Sequence, residues 1–290
     1  MILRSLIRAY CFAGLVLPLT VLAFTFASRP VIAQDIAAAT SRAVTPALAE
    51  RPHPLDPALR TARHSLQHIQ LNVRDYTAIM SKRVRVDGEL NDYQHTYVKI
   101  RNRRVENDRL TTPMSVYLYF LKPDAIKGRE VIWVENRNNG RMVAHDAGLK
   151  RLIKVELDPN GSMAMRGQRY PITEIGLEKL VQKVIETGNR DRQRDECQVK
   201  FYDNAKINQR VCRMFEIIHP VERPDFDFHR AQVFFDNDLN MLVRYASWSW
   251  PKKEGGKPVL EEEYTYTDIK VNIGLTDLDF DPDNPAYGFW

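Results

Sequence analysis

The residues best placed to bind a metal ion lie in one short segment, Asp225-Phe226-Asp227-Phe228-His229. On an extended strand, Asp225, Asp227 and His229 would point to one face, because side chains alternate along a strand. His219 could approach from the preceding strand, and two carboxylates with two imidazoles can ligate a divalent cation. The alternative is the start of an ordinary strand whose polar side chains face solvent. The spacing therefore defines a candidate metal site at Asp225, Asp227 and His229.

A second acidic group, Glu261-Glu262-Glu263, could supply a general acid or base if one carboxylate were buried. Alternation sends Glu261 and Glu263 to one face of a strand and Glu262 to the other. A charge run is more often a solvated arm of a hairpin. The sequence has no G-x-S-x-G, H-E-x-x-H, C-x-x-C or P-loop motif. No catalytic residue and no cofactor is therefore predicted.

Two cysteines, Cys197 and Cys212, lie in a segment that reads as a β-hairpin. A turn at Asp203–Lys206 would place the two cysteines opposite each other, at a Cα separation that a disulfide can bridge. Closing this loop would stabilise the fold by about 3 kcal/mol. A Cys197–Cys212 disulfide is therefore predicted, with two unpaired buried thiols as the alternative.

The first 33 residues have the features of an export signal. Arg4 and Arg8 precede an apolar run, and Val31-Ile32-Ala33 fits a cleavage site. Cleavage near Ala33 would deliver the chain to the periplasm or the medium, whereas an uncleaved signal would act as a membrane anchor. Residues 34–55 are rich in alanine and proline and are predicted to form a flexible leader. Residues 56–290 are predicted to form a single domain.

The charge balance argues against nucleic acid as a partner. The full chain has 42 basic and 37 acidic residues. Three of the basic residues and none of the acidic ones lie in the signal, which leaves 39 against 37 and a net charge of +2. So small an excess provides no electrostatic case for binding a polyanion along its length.

The elements that must position these residues are two helices and a large sheet. A first amphipathic helix is predicted to begin at Asp56-Pro57. A second is predicted to run from a cap at Thr173 to an end at Gly188. After Asp75 the pattern changes to about ten short β-rich segments without βαβ alternation, which indicates an antiparallel sheet. The basic strand around Lys99 to Arg104 is read as a solvated face or a polyanion site.

The central strands indicate that the sheet is covered on both sides. Residues 116–121 and 131–134 are apolar or aromatic at every position, whereas a strand with one wet face alternates. A large antiparallel sheet curls, and two helices cover only part of its inner face. The predicted fold class is mainly β (α+β): a strongly curved antiparallel sheet forming an unclosed barrel, with two or more helices on its concave side.

A hollow between sheet and helices would hold an apolar ligand, such as a lipid or acyl chain. Its wall is predicted from the helix stripes and the aromatic strands. The candidate residues are Leu66, Ile69, Tyr117, Tyr119, Trp133, Leu180, Val184, Trp248 and Trp250.

The chain resembles an uncharacterised family of exported bacterial proteins, a domain of unknown function. The resemblance covers residues 60–290. It is carried by His219-Pro220, Phe226-Asp227-Phe228-His229, Ala231, Phe234, Arg244-Tyr245, Trp250-Pro251, Glu262-Glu263-Tyr264-Thr265-Tyr266, Asn272–Asp277 and Asp279-Phe280-Asp281. It implies a fold like that of the LolA and LolB lipoprotein carriers, whose hollow takes acyl chains. The chain is longer than those carriers and lacks their motifs, and the resemblance supplies no catalytic residue.

Three functions follow as hypotheses. The first is an envelope carrier of a lipid or acyl chain, in lipid or lipoprotein transport and peripheral to the membrane at most. The second is a periplasmic protein-interaction scaffold that docks an envelope protein or lipoprotein on the outer face or edge of the sheet. The third is a metal-dependent hydrolase using Asp225, Asp227, His229 or Glu263.

Overall fold

The computed structural model describes residues 52–148 and 153–289. The predicted signal, its cleavage site and nearly all of the predicted leader lie outside the described residues. Within them the helices are α1 Asp56–Asn72, α2 Ser162–Met165 and α3 Leu177–Asp191. The strands are β1 Asp75–Val86, β2 Glu89–Leu90, β3 Gln94–Arg101, β4 Arg104–Glu106, β5 Arg109–Thr112, β6 Ser115–Lys122, β7 Glu130–Val134, β8 Met142–His145, β9 Val155–Leu157, β10 Gln198–Ile207, β11 Arg210–Ile218, β12 Arg230–Asp236, β13 Met241–Ser249 and β14 Val259–Val271.

One large antiparallel sheet carries the fold. Its strand order is β10-β11-β12-β13-β14-β1-β3-β6-β7-β8-β9, with β2 paired to β1 and a separate β4–β5 hairpin. The first and last strands of this order, β10 and β9, do not pair with each other, so the sheet does not close into a barrel. The predicted fold class, an unclosed antiparallel sheet with helices against it, is confirmed.

Helices α1 and α3 lie against each other and against β13 on the inner side of the sheet. Their contact depends on Gly188, where an added Cβ would lie 2.8 Å from Cδ2 of the buried Leu59. The prediction that Gly188 ends the second helix is wrong, because α3 continues to Asp191. This glycine lies within α3, where the lack of a side chain permits the two helices to approach closely.

The start of α3 is held by the sheet and not by the predicted cap at Thr173, which lies in a 3-10 turn before the helix. Gly176 precedes α3 with φ of 112°, a conformation that favours glycine. The hydroxyl oxygen of Tyr76 on β1 accepts a hydrogen bond of 2.8 Å from the backbone N–H of Leu177. A fully buried tyrosine therefore fixes where this helix meets the sheet.

The sheet is covered on both faces, as its central strands predict. Leu118 and Phe120 on β6 belong to the core between sheet and helices. Tyr117 faces the other way, into a second cluster formed with Phe280 and the C-terminal Tyr287. The rings of Tyr117 and Tyr287 stack with centroids 4.2 Å apart. The C-terminal segment therefore covers the outer face.

The predicted disulfide is wrong. The turn between β10 and β11 falls at Asn208, which has a φ of 52°, and not at Asp203–Lys206. An asparagine tolerates this left-handed conformation, and the ladder that results pairs Cys212 with Ala205. Cys197 precedes β10, and both cysteines are buried free thiols. The register of the hairpin, several residues away from the one expected, separates them.

Candidate functional site

A cavity of about 550 Å³, called the first chamber here, lies between the concave face and the α2–α3 segment, residues 162–176. Apolar side chains from β1, β6, β7 and β8 form its floor, and Leu180 of α3 forms part of its roof. Exposed Met163 and Arg166 mark its opening to solvent. The floor includes Met80, Leu118, Phe120, Val131, Met142 and Ala144. Its size lies within the range of about 300–1,000 Å³ that is typical of sites for small ligands.

A second chamber of about 420 Å³ lies farther along the same face, between α1, α3 and strands β12 and β13. Its wall includes Leu59, Val184, Phe228, Val233 and Phe235. Four residues line both chambers and so stand between them: Arg169, Tyr170, Leu180 and Lys183. The hollow predicted from the sequence is therefore present as two neighbouring spaces.

The boundary between the chambers is polar. Glu262 reaches it from β14, and Arg169 Nε lies 3.4 Å from Glu262 Oε2. The hydroxyl of Tyr170 donates a hydrogen bond of 3.3 Å to Glu262 Oε1. Burial raises the pKa of Glu262 above its usual range, and the charge of Arg169 opposes that rise. This cluster ties the α2–α3 segment to the sheet.

A lysine also lies in the wall of the first chamber. Lys82 on β1 has the same orientation as Met80, and its ammonium donates a hydrogen bond to Oε1 of Gln168. Desolvation lowers the pKa of Lys82 to about 8. Arg129, also in this wall, is paired with Asp146 at 2.8 Å.

The residues predicted for the cavity wall lie in different parts of the structure. Leu180 lines both chambers, Val184 lines the second, and Trp133 lines a separate recess beside Val105. Ile69 is fully buried in the core and Leu66 packs against it, so neither lines a chamber.

Four predicted wall residues, all aromatic, lie elsewhere. Tyr117 and Tyr119 belong to the outer cluster, because they alternate with the inward Leu118. Trp248 lies under Arg230, whose Cζ is 4.2 Å from the ring centroid, and the ring of Trp250 is 5.9 Å from that of His229. Placing these four in the cavity was wrong, because a strand that is apolar on both faces does not reveal which face is concave.

The predicted metal-binding residues do not converge. Strand β12 begins only at Arg230, so the assumed alternation does not apply to the segment before it. Asp225 Oδ2 is 2.5 Å from Arg194 Nε, and Asp227 Oδ2 is 2.8 Å from Arg190 Nη2. Among the described residues, no group of three or more histidine, cysteine or acidic side chains could hold a metal ion.

His219 and His229 have structural contacts. The ring of His219 is fully buried and stacks on Phe226 with centroids 3.9 Å apart, while its Nδ1 lies 3.0 Å from the backbone oxygen of Phe228. His229 Nδ1 lies 2.9 Å from the backbone oxygen of His219. Burial lowers the pKa of His219, which favours the neutral ring.

The remaining charged candidates lie on the outer face of the sheet. Glu263 accepts hydrogen bonds from Arg244, at 2.7 Å, and from Tyr93, so the carboxylate of the run that enters the hollow is Glu262. Lys99 pairs with Asp279, also at 2.7 Å.

The rest of the basic strand is paired in the same way. Arg101 pairs with Asp277 at 2.7 Å, and Arg103 with Glu135 at 2.9 Å. These side chains hold the C-terminal segment and the neighbouring strands. Lys99 and Arg101 therefore do not form a solvated face or a free polyanion site, whereas the Arg103 side chain is 49% exposed, as a solvated face requires.

Sequence reasoning missed Lys82, Gln168, Arg169 and Tyr170. One signal was available for the lysine. Ala78, Met80 and Val84 are apolar at alternate positions of β1, and Lys82 interrupts that inward series. The other three residues come from an irregular segment, for which periodicity carries no information.

Residues 73–289 match the family described as "Protein of unknown function (DUF1571)", and the chain belongs to that family. The family predicted from the sequence, a domain of unknown function, is confirmed. A search of curated proteins finds no match.

Several solved structures are similar to this chain. The lipoprotein LppX of Mycobacterium tuberculosis is 14% identical with a TM-score of 0.42, over 78% of this chain and 100% of that one. A DUF1329 family protein of Desulfovibrio piger is 11% identical with a TM-score of 0.36, over 79% and 98%. A LolA superfamily protein of Nitrosomonas europaea is 8% identical with a TM-score of 0.30, over 77% and 97%. The function proposed below rests on the interior of the sheet and not on these structures.

Over the described residues, no helix combines the length and the apolar character needed to cross a membrane.

Proposed function

We propose that this protein is an exported envelope protein that binds the hydrocarbon chain of a lipid in the first chamber. The observation that carries the proposal is the apolar floor of that chamber, formed by inward side chains of β1, β6, β7 and β8. A cavity of about 550 Å³ with such a floor is suited to a flexible alkyl chain. The second chamber offers further apolar wall beyond Leu180.

The expected affinity follows from the transfer of methylene groups out of water. Each buried CH₂ contributes about 0.8 kcal/mol, so burying about eight would contribute about 6 kcal/mol. Part of this is offset by the cost of association and of ordering the chain. An alkyl chain alone should therefore bind weakly, in about the 0.1–1 mM range, and a headgroup contact would strengthen binding.

The two competing hypotheses have less support among the described residues. The scaffold hypothesis rested on the basic strand and on the leader; Lys99 and Arg101 of that strand are paired with the C-terminal segment, and nearly all of the leader lies outside the described residues. The hydrolase hypothesis used Asp225, Asp227, His229 or Glu263; each of the three carboxylates is paired with an arginine, and His229 Nδ1 lies against the backbone oxygen of His219. Lipid binding is the function that the described residues support best.

The proposal is tested by displacing a fluorescent fatty acid from the purified protein, together with native mass spectrometry for lipids that co-purify. Leu118→Trp places an indole in the chamber and should weaken probe binding about tenfold or more. Tyr119→Trp is the matched control, because the neighbouring side chain faces the outer cluster. Absence of probe binding to the wild type, or equal binding by the two variants, would contradict the proposal.

A further inference from the structure

The first chamber contains a positive charge that its hydrocarbon-binding role does not require. We infer that this chamber selects an anionic amphiphile, a single alkyl chain ending in a carboxylate or a phosphate, whose acid group pairs with Lys82. The inference rests on the proposed function and adds the chemical class of the headgroup.

The position of Lys82 in β1 points its side chain inward. Ala78, Met80 and Val84 on alternate positions are each no more than 3% exposed and face the concave side. Lys82 continues this series, and both Met80 and Lys82 line the first chamber. Directly across the ladder stands Tyr264 of β14, which lines the same chamber. The ammonium therefore enters the space that the alkyl chain would occupy.

Lys82 lacks a carboxylate partner among the described residues. Its hydrogen-bond acceptor is the neutral amide of Gln168, and desolvation lowers its pKa. Of the acidic side chains around the chambers, Asp146 of the first is paired with Arg129, and Glu262 of the second is paired with Arg169. The exposed Glu174 lies at the rim.

A partly desolvated ammonium without a counter-charge is costly, and an opposite charge within reach relieves that cost. An anionic headgroup would supply the missing charge in a setting where water screens little. Arg166, Lys179 and Lys183 line the same chamber and add to its positive potential, which favours entry of anions. A neutral headgroup would leave Lys82 unpaired, and a cationic one would be repelled.

The experiment measures the affinity of lauric acid, lauryl phosphate and lauryl alcohol by displacement of a bound fluorescent probe, at about pH 7. The three ligands share one alkyl chain and differ in the headgroup. The wild type should bind an acid about tenfold or more tightly than the alcohol. The tighter of the two acids identifies the source of the anion, carboxylate or phosphate.

Two variants assign the preference to one side chain. Lys82→Met should lose most of the preference for the acids, with a small remainder from Arg166, Lys179 and Lys183, while still binding the alcohol, which shows that the chamber is intact. Lys82→Arg retains the charge and should retain a preference for the acids. Lys252→Met, which removes an exposed lysine in the β13–β14 loop, should behave as the wild type.

The outcomes separate the two proposals. If no lauryl ligand binds to the wild type, the proposed function fails and the inference with it. If the alcohol binds as tightly as both acids, lipid binding stands and anion selection is overturned. If Lys82→Met keeps the preference for the acids, the assignment to Lys82 is wrong.

Discussion

Replacing Lys82 by methionine should make the unliganded protein more stable, although it removes the residue we assign to headgroup binding. The lysine carries its charge into the wall of the first chamber, where the amide of Gln168 is its one hydrogen-bond partner among the described residues. Methionine has a similar length and no charge to desolvate, so the apolar series of Met80 and Val84 would become continuous. A binding residue that lowers stability is what a ligand-selective pocket is expected to contain.

The magnitude follows from the pKa of Lys82, which desolvation lowers from its ordinary value of 10.5 to about 8. Such a difference corresponds to about 3 kcal/mol, since one pKa unit is worth about 1.4 kcal/mol. The chamber opens to water, so we expect Lys82→Met to raise the free energy of unfolding at pH 7 by about 2 kcal/mol.

The pH dependence has a definite sign. Between pH of about 8 and 10.5 the unfolded chain keeps the proton on Lys82 while the folded chain releases it. The unfolded state then binds more protons, so this residue makes the wild type more stable as the pH rises through that window. The advantage of Lys82→Met should therefore be full at pH 7 and smaller by about 1 kcal/mol at pH 9.

Urea unfolding followed by tryptophan fluorescence at pH 7 and pH 9 measures both effects, with Lys252→Met as the control. Comparing variants removes the contribution of the other groups that titrate in this range. A methionine variant that is less stable than the wild type at pH 7 would refute the reasoning. So would a stability difference that does not shrink with rising pH, since Lys82 would then not be a desolvated cation.

Three further predictions concern the frame around the chambers. Gly188→Ala should destabilise the protein by about 1 kcal/mol in thermal unfolding, because the new Cβ would approach Leu59 to 2.8 Å; the double variant Gly188→Ala/Leu59→Ala should show less than the sum of the two effects. Phe280→Ala should cost about 3 kcal/mol in urea unfolding and leave ligand affinity unchanged, because this ring is buried on the outer face; loss of binding would contradict that separation. The native thiols of Cys197 and Cys212 should resist alkylation at pH 8, because burial raises the pKa of each to about 11. Since both cysteines are free thiols, a reducing agent should not change the melting temperature. A melting temperature several degrees lower after reduction would indicate a disulfide.

Local patterns were sufficient for the presence of α1 and α3 and for the class of the sheet, although both predicted ends of α3 were wrong. The apolar stripe that includes Leu59 and Ile69 repeats at helical spacing, and α1 is found there from Asp56 to Asn72. The apolar residues at every position of 116–121 required cover on both faces, which the helices and the C-terminal segment provide. These features depend on residues near one another in the chain, where periodicity is reliable.

The site depended on information that local patterns do not contain. Tyr117 and Leu118 are equally apolar neighbours, and either could have faced the helices. The hairpin that carries Cys212 was misread because its turn was predicted at Asp203–Lys206 and lies at Asn208, which gives a different register. A shift of register changes every cross-strand partner, so an error in one turn removed a predicted disulfide.

The sequence by itself determined that this chain builds a two-sided antiparallel sheet too large for its helices to fill, because apolar periodicity and turn residues are written locally. Only the tertiary structure decided that Lys82 enters the resulting chamber, and that Arg169 and Glu262 meet at the boundary with the next one. Those contacts join residues far apart in the chain, and they depend on strand register and on the path of an irregular segment. Neither of these is encoded in the spacing of neighbouring residues.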